Sequence, residues 1–195
     1  EDAPSQEALQ RAGYYKVIKP LQAIFTAVAE CRVPVIAAVG GAAAGAGMEL
    51  ALCADIRVAS EDAEFWIPEV RYGLVPDMGG TQRLAWLVGP SRAKELILTG
   101  KKISAARALE IGLVDHVVPR GEAVKRAEEL AREIADQAPL AVQAAKRSVN
   151  ASMEMGLRQG LEYEAREAAS CLPTEDVFEG FMAAMEKRAP RFKGA

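Results

Sequence analysis

Three carboxylates, Glu49, Glu69 and Asp77, fall within one segment that is punctuated by Gly and Pro and is otherwise small or apolar. Acids in such places suit general acid/base chemistry, because burial disfavours the charged form and lifts a carboxyl pKa towards the range where protons move readily. Glu49 sits among Gly47, Met48, Leu50, Ala51 and Leu52, in a helical pattern whose other faces read as buried. Glu69 follows Pro68 and the apolar Phe65, Trp66 and Ile67, at a strand end where a side chain can face a cleft. Asp77 follows Pro76 and precedes Met78, Gly79, Gly80 and Thr81. Each acid also has a plainer reading. Glu49 suits the first turn of a helix by its dipole, Glu69 suits a solvated loop, and Asp77 suits a turn or a cap before a helix at 82–88. Their concentration in one segment favours the chemical reading.

The elements that must position these acids begin with residues 33–39, a short β-branched apolar run that reads as a strand buried on both faces. A turn follows. Gly40, Gly41, Gly45 and Gly47, interleaved with Ala42, Ala43, Ala44 and Ala46, leave so little bulk that a backbone can lie against a ligand or another backbone. From Gly47 the pattern turns helical, and the first turn presents unpaired N–H groups at the positive end of the dipole. Ala46 and Gly47 are the expected donors to an oxyanion placed there. The same small residues serve tight helix–strand packing equally well, and neither a G-x-G-x-x-G in register nor a phosphate-binding G-x-x-x-x-G-K-[ST] is present.

The remaining pattern predicts an α/β chain. An amphipathic helix spans 6–31, strands lie near 55–59 and 64–67, and Ser104 caps a helix at 105–111 that Gly112 stops. A short strand at 114–118 precedes helices near 122–137, 140–153, 157–170 and 174–188. The division expected is a core at 1–119 and a helical region at 120–195. Half of the residues are apolar and the net charge is −3, which favours neither a nucleic-acid partner nor a membrane. No run of about 18 apolar residues occurs, and no charged-then-apolar leader. Cys31, Cys53 and Cys171 are odd in number and widely spaced, which points to reduced thiols in a bacterial cytoplasm or an organelle matrix. His116, the single histidine, reads as a strand residue, and no metal set is expected.

The residues themselves resemble the crotonase (enoyl-CoA hydratase/isomerase) superfamily. The likeness runs from about residue 33 to the end, through PVIAAVGG, GAGMELALCADIR, PEVRYGLVPDMGGTQRL, LTGKKISAARALEIGLVDHVVP and EKRAPRFKG. The resemblance implies a spiral of ββα turns with a C-terminal helical trimerisation region, and a homotrimer or dimer of trimers. It implies an acyl-CoA substrate with no separate cofactor. Glu49 and Glu69 match the two glutamates that add water across a 2-enoyl thioester, and the Ala46 N–H matches one of two oxyanion donors. Gly45, Gly47 and Trp66 fall beside the substrate, and Lys187 falls where a basic side chain meets the CoA phosphates, although a cation at a helix C-terminus explains it equally well. Asp77 stands where dienoyl-CoA isomerases keep a catalytic aspartate, so isomerisation is the alternative reaction. A non-catalytic or RNA-binding relative is a further alternative, which the intact acids and the negative charge disfavour. The family's N-terminal strands and second oxyanion donor have no counterpart in this sequence. A separate N-terminal chain or a segment outside the given residues is expected to supply them, with a truncated product as the less favoured third reading. Residues 1–6 correspond to a variable loop.

Overall fold

A computed structural model describes residues 6–195, so all but the last position of the expected variable loop at 1–6 lies outside the described residues. Two compact units emerge from the contacts. The first holds the described residues up to Cys31 together with Val35–Ala127, and the second holds Arg32–Pro34 and Glu128–Ala195.

In the first unit, helix α1 (Gln6–Ala29) runs unbroken through Pro20. Strands β1 (Ile36–Val39) and β2 (Ala42–Ala44) follow, then the short helix α2 (Ala46–Ala51). Strands β3 (Ile56–Ser60) and β4 (Glu64–Trp66) lead to a single 3-10 turn (Glu69–Tyr72), and then to helices α3 (Gly80–Val88) and α4 (Pro90–Thr99). Strand β5 (Ile103–Ser104), helix α5 (Ala105–Glu110) and strand β6 (His116–Val118) complete the strands, and helix α6 (Ala123–Ala135) crosses into the second unit.

The first four strands go alternately to two sheets, after which β5 joins the sheet of β4 and β6 returns to the sheet of β3. One has the order β1-β3-β6, all parallel, with Ile36 opposite Ile56 and Val58 opposite His116. The other has the order β2-β4-β5, with β2 parallel to β4 and β5 antiparallel to it. Two strands and then a helix, repeated, is the spiral of ββα turns that the sequence leads one to expect. Central β3 is buried on both faces, as a parallel strand flanked by helices should be. Strand β1 differs from the expectation: it is half-exposed, because it stands at a sheet edge with β3 as its partner among the described residues. The core gathers Met48, Phe65, Ile67, Leu84, Leu113 and Val114, all essentially excluded from solvent. Arg57 is also buried, and it is satisfied by the carbonyls of Ala54 and Leu113 and by the Asp115 carboxylate.

The second unit is helical, with α7 (Pro139–Ala151) packed on α8 (Leu157–Cys171) and α9 (Glu175–Glu186) following. Arg147 clamps Glu167 between α7 and α8 through both carboxylate oxygens, at 3.1 Å from Nε. After α9 the chain folds back. Buried Asp176 accepts from the main-chain N–H groups of Lys193 and Gly194, at 2.7 and 2.8 Å, and Glu175 N donates to Ala195 O. Among the described residues no helix is long and apolar enough to cross a membrane.

Candidate active site

The Gly/Ala-rich segment is not the simple turn expected. Ala42, Ala43 and Ala44 form β2, a strand concealed by alanine's weak β-propensity and revealed by its pairing with β4. Within the segment Gly45 alone takes a positive φ, of 50°, in the region that glycine adopts freely. Gly45 N donates to Trp66 O at 3.0 Å. The next two N–H groups, of Ala46 and Gly47, have no acceptor among the described residues, and both residues are exposed at the start of α2.

Glu49 lies in the first turn of α2 and is 1 % exposed. It does not cap its own helix. Its Oε1 accepts two main-chain N–H groups, from Met78 at 2.9 Å and from Gly80 at 2.7 Å. Burial pushes the carboxyl above its ordinary value of 4.5, those two hydrogen bonds pull it back, and the charges of Glu69 and Asp77 push it further up. The net direction is upward. Gly80 makes the arrangement possible, since a Cβ there would stand 2.8 Å from Glu49 Oε1 and 2.9 Å from its Cγ.

Glu69 opens the 3-10 turn after Pro68 and is half-buried. Its Oε1 lies 2.6 Å from the point where a Cβ on Gly45 would be, which sets this carboxyl beside the turn that bears the free Ala46 N–H. Its Oε2 is buried and has no hydrogen-bond partner among the described residues. A buried carboxylate oxygen is costly to leave unpaired, so this atom marks a place for a water or a substrate group.

Asp77 is half-buried, and no described residue hydrogen-bonds its carboxylate. It does not cap α3, whose N-cap is Gly79 with φ 105°. The loop that carries it is pinned from outside. Gln22 Nε2 donates to Asp77 O at 2.8 Å, and Arg83 donates to Met78 O at 2.9 Å and to Thr26 Oγ1 at 3.2 Å.

The other expected substrate contacts are more dispersed. Trp66 ends β4 with Lys102 Nζ 4.3 Å from its ring centroid, and Glu64, on the same strand face, pairs with that ammonium at 3.0 Å. Lys187 belongs to the second unit, where it is exposed and terminates α9 in the left-handed conformation, with φ 55°. His116 lies in β6, and all three cysteines are free thiols.

Four participants escaped the sequence reading: the N–H groups of Met78 and Gly80, and the side chains of Gln22 and Arg83. The glycine pair at 79–80 was the available signal, because a glycine that opens a helix often marks a close approach by another group.

A family model described as enoyl-CoA hydratase/isomerase matches residues 4–195. A protein of Arabidopsis thaliana named probable enoyl-CoA hydratase 2, mitochondrial, is 39% identical over 193 residues, which cover 99% of this chain and 64% of that protein. The 2,3-dehydroadipyl-CoA hydratase of Escherichia coli K12 is 45% identical over 161 residues, covering 83% of this chain and 62% of that enzyme. This chain thus spans somewhat under two thirds of the length of these curated relatives. The crystal structure of an enoyl-CoA hydratase from Bacillus anthracis superposes with a TM-score of 0.89 at 38% identity, covering 99% of this chain and 73% of that one. With the two-sheet spiral and its converging acids already in view, these likenesses establish that the chain belongs to the enoyl-CoA hydratase/isomerase family of the crotonase superfamily.

Proposed function

We propose that the protein is an enoyl-CoA hydratase, adding water reversibly across the double bond of a 2-enoyl-CoA thioester. The observation that carries this reading is one turn of chain. Gly45 sets the Ala46 N–H beside Glu69, while Glu49, raised in pKa by burial, lies within electrostatic reach; among the described residues neither the Ala46 N–H nor the buried Glu69 Oε2 has a partner. The thioester oxygen takes the Ala46 N–H, which stabilises the enolate formed as the water oxygen bonds to C3. Glu49 orients that water. Glu69 takes a proton from it and delivers one to C2, so the atoms of water are divided between the two carbons and each carboxylate ends as it began. Gly45 and Gly47 keep the approach to the amides open, and Trp66 borders the acyl chain. Lys187 offers a cation for the CoA phosphates. The substrate is the CoA thioester itself, and the chemistry calls for no separate cofactor.

Asp77 supports a second reading, since its carboxylate has no described hydrogen-bond partner and its charge reaches Glu49. In a dienoyl-CoA isomerase, Asp77 and Glu69 would move protons on opposite sides of the acyl chain. Copies of the chain are proposed to assemble through the second unit, where Phe178 and Phe181 are 73 % and 70 % exposed.

Absorbance at the enoyl-thioester band tests the reading. Loss with crotonyl-CoA is expected, abolished in Glu49→Gln by about a hundredfold or more and largely kept in Asp77→Asn. A spectral shift with only a 3,5-dienoyl-CoA, lost in Asp77→Asn, would establish the isomerase instead.

A further inference from the structure

Peptide units, rather than side chains, hold the Glu49 carboxyl, and each has its carbonyl end engaged as well. The 79–80 peptide donates through Gly80 N, while its Gly79 carbonyl accepts from Gln82 N and Arg83 N at 3.1 and 2.9 Å in the first turn of α3. The 77–78 peptide donates through Met78 N, while its Asp77 carbonyl accepts from Gln22 Nε2 at 2.8 Å. One end of Glu49's support is therefore backbone built into a helix. The other hangs on a half-buried side chain of α1, 55 residues earlier in the chain.

We infer that Gln22 is a positioning residue for Glu49: by gripping the Asp77 carbonyl it fixes the plane of the 77–78 peptide, and through that peptide it strengthens the N–H that holds Glu49 Oε1. The inference rests on the hydratase reading, in which Glu49 orients the attacking water. Two physical effects combine. Hydrogen bonds in a chain polarise one another, strengthening each by roughly 10–30%. The second effect is restraint, because the peptide lies in a loop that ends at Gly79, whose φ of 105° reflects a backbone with wide freedom. Arg83 restrains the following carbonyl, of Met78, but not that of Asp77. The charged and titratable groups about Glu49 are Glu69 on the 3-10 turn, Asp77 on the loop and Cys53 just beyond α2, with Arg83 of α3 acting on Cys53. Gln22 is neutral, so it acts on Glu49 through the peptide and not through charge.

The test is steady-state hydration of crotonyl-CoA by the full chain and its variants across pH. Gln22→Met keeps side-chain length and helix propensity while removing the donor. Its kcat is expected to fall about three- to tenfold with KM within about twofold, the scale of one hydrogen bond. The acid limb of kcat/KM should also move to higher pH, because Glu49 loses part of the bonding that favours its charged form. Gln22→Ala should behave alike, giving the same readouts should methionine crowd the loop. Gln22→Lys restores a donor and should recover kcat, with the acid limb at or below its parental pH. A parental kcat and limb in folded Gln22→Met and Gln22→Ala would overturn the inference. So would a loss of kcat shared equally by all three variants with no movement of the limb, which is the mark of packing alone. Glu49→Gln in the same assay separates the two proposals. If it stays active, the hydratase reading falls; if it is dead while Gln22→Met is parental, only the role of Gln22 falls.

Discussion

At the scale of single residues, the site is governed by what is missing from two glycines as much as by what three acids supply. Gly45 leaves room for the Glu69 carboxyl, and Gly80 leaves room for that of Glu49. Gly80→Ala would place a Cβ 2.8 Å from Glu49 Oε1 against a side chain that is 1 % exposed and has nowhere to retreat. The carboxyl must move by an appreciable fraction of an ångström. Displacements near 1 Å cost about a hundredfold in rate, so kcat for crotonyl-CoA hydration is expected to fall by about that factor while far-ultraviolet circular dichroism stays parental. A parental kcat would mean that Glu49 need not stay where it is. Glu49 was legible in the sequence, because an acid amid Met48, Leu50 and Leu52 has no easy route to water. Its partners were not, because Met78 and Gly80 contribute only peptide N–H groups, which nearly every residue possesses.

At the scale of elements, local chemistry showed through wherever a side chain did the local work. Ser104 was expected to cap the helix after it, and its hydroxyl does accept from Arg107 N. Helix α4 went unread, although Pro90 stands at its first position and Gly100 closes it in the left-handed conformation. Strand β2 went unread because three alanines carry no period-2 signal, and only pairing with β4 makes them a strand. The tail after α9 shows how an element end can be fastened by charge. Arg188 grips both oxygens of Glu179, Arg191 N adds a third bond, and together they hold the Glu179 carboxyl down at about 2. An acid whose folded pKa lies below its ordinary 4.5 contributes its stabilisation fully above 4.5 and loses it as pH falls through the folded value. Titration followed by nuclear magnetic resonance is expected to show the Glu179 carboxyl and the Arg191 amide moving together with a midpoint near 2. In Arg188→Ala the midpoint should rise towards 4.5. A parental midpoint near 4.5 would show that the tail is not fastened in this way.

At the scale of the whole molecule, the acid that serves the proposed reaction works against folding. The folded pKa of Glu49 lies above 4.5, so between 4.5 and the folded value the native state holds a proton that the unfolded chain releases. Stability from this group is therefore greatest below 4.5 and declines as pH rises through the folded value. Glu49→Gln removes that dependence and keeps an oxygen for the Met78 and Gly80 N–H groups. Its urea midpoint is expected to exceed the parent's at pH 8, with the gap closing towards pH 4, alongside the loss of activity. A gap that does not depend on pH would mean that Glu49 is as easily ionised folded as unfolded. The sequence by itself determined the family and most of the helices and strands, with β2, β5 and α4 the exceptions, and it pointed to the acids proposed to react, since all of these are carried by side-chain type, spacing and turn residues. Only the tertiary structure decided which strands share a sheet, that Glu49 rests on two distant peptides, that Gln22 holds one of them, and that Glu69 keeps an oxygen unpaired. The physical reason is that such bonds join backbone groups common to nearly every residue, and the path of the folded chain selects which of them meet.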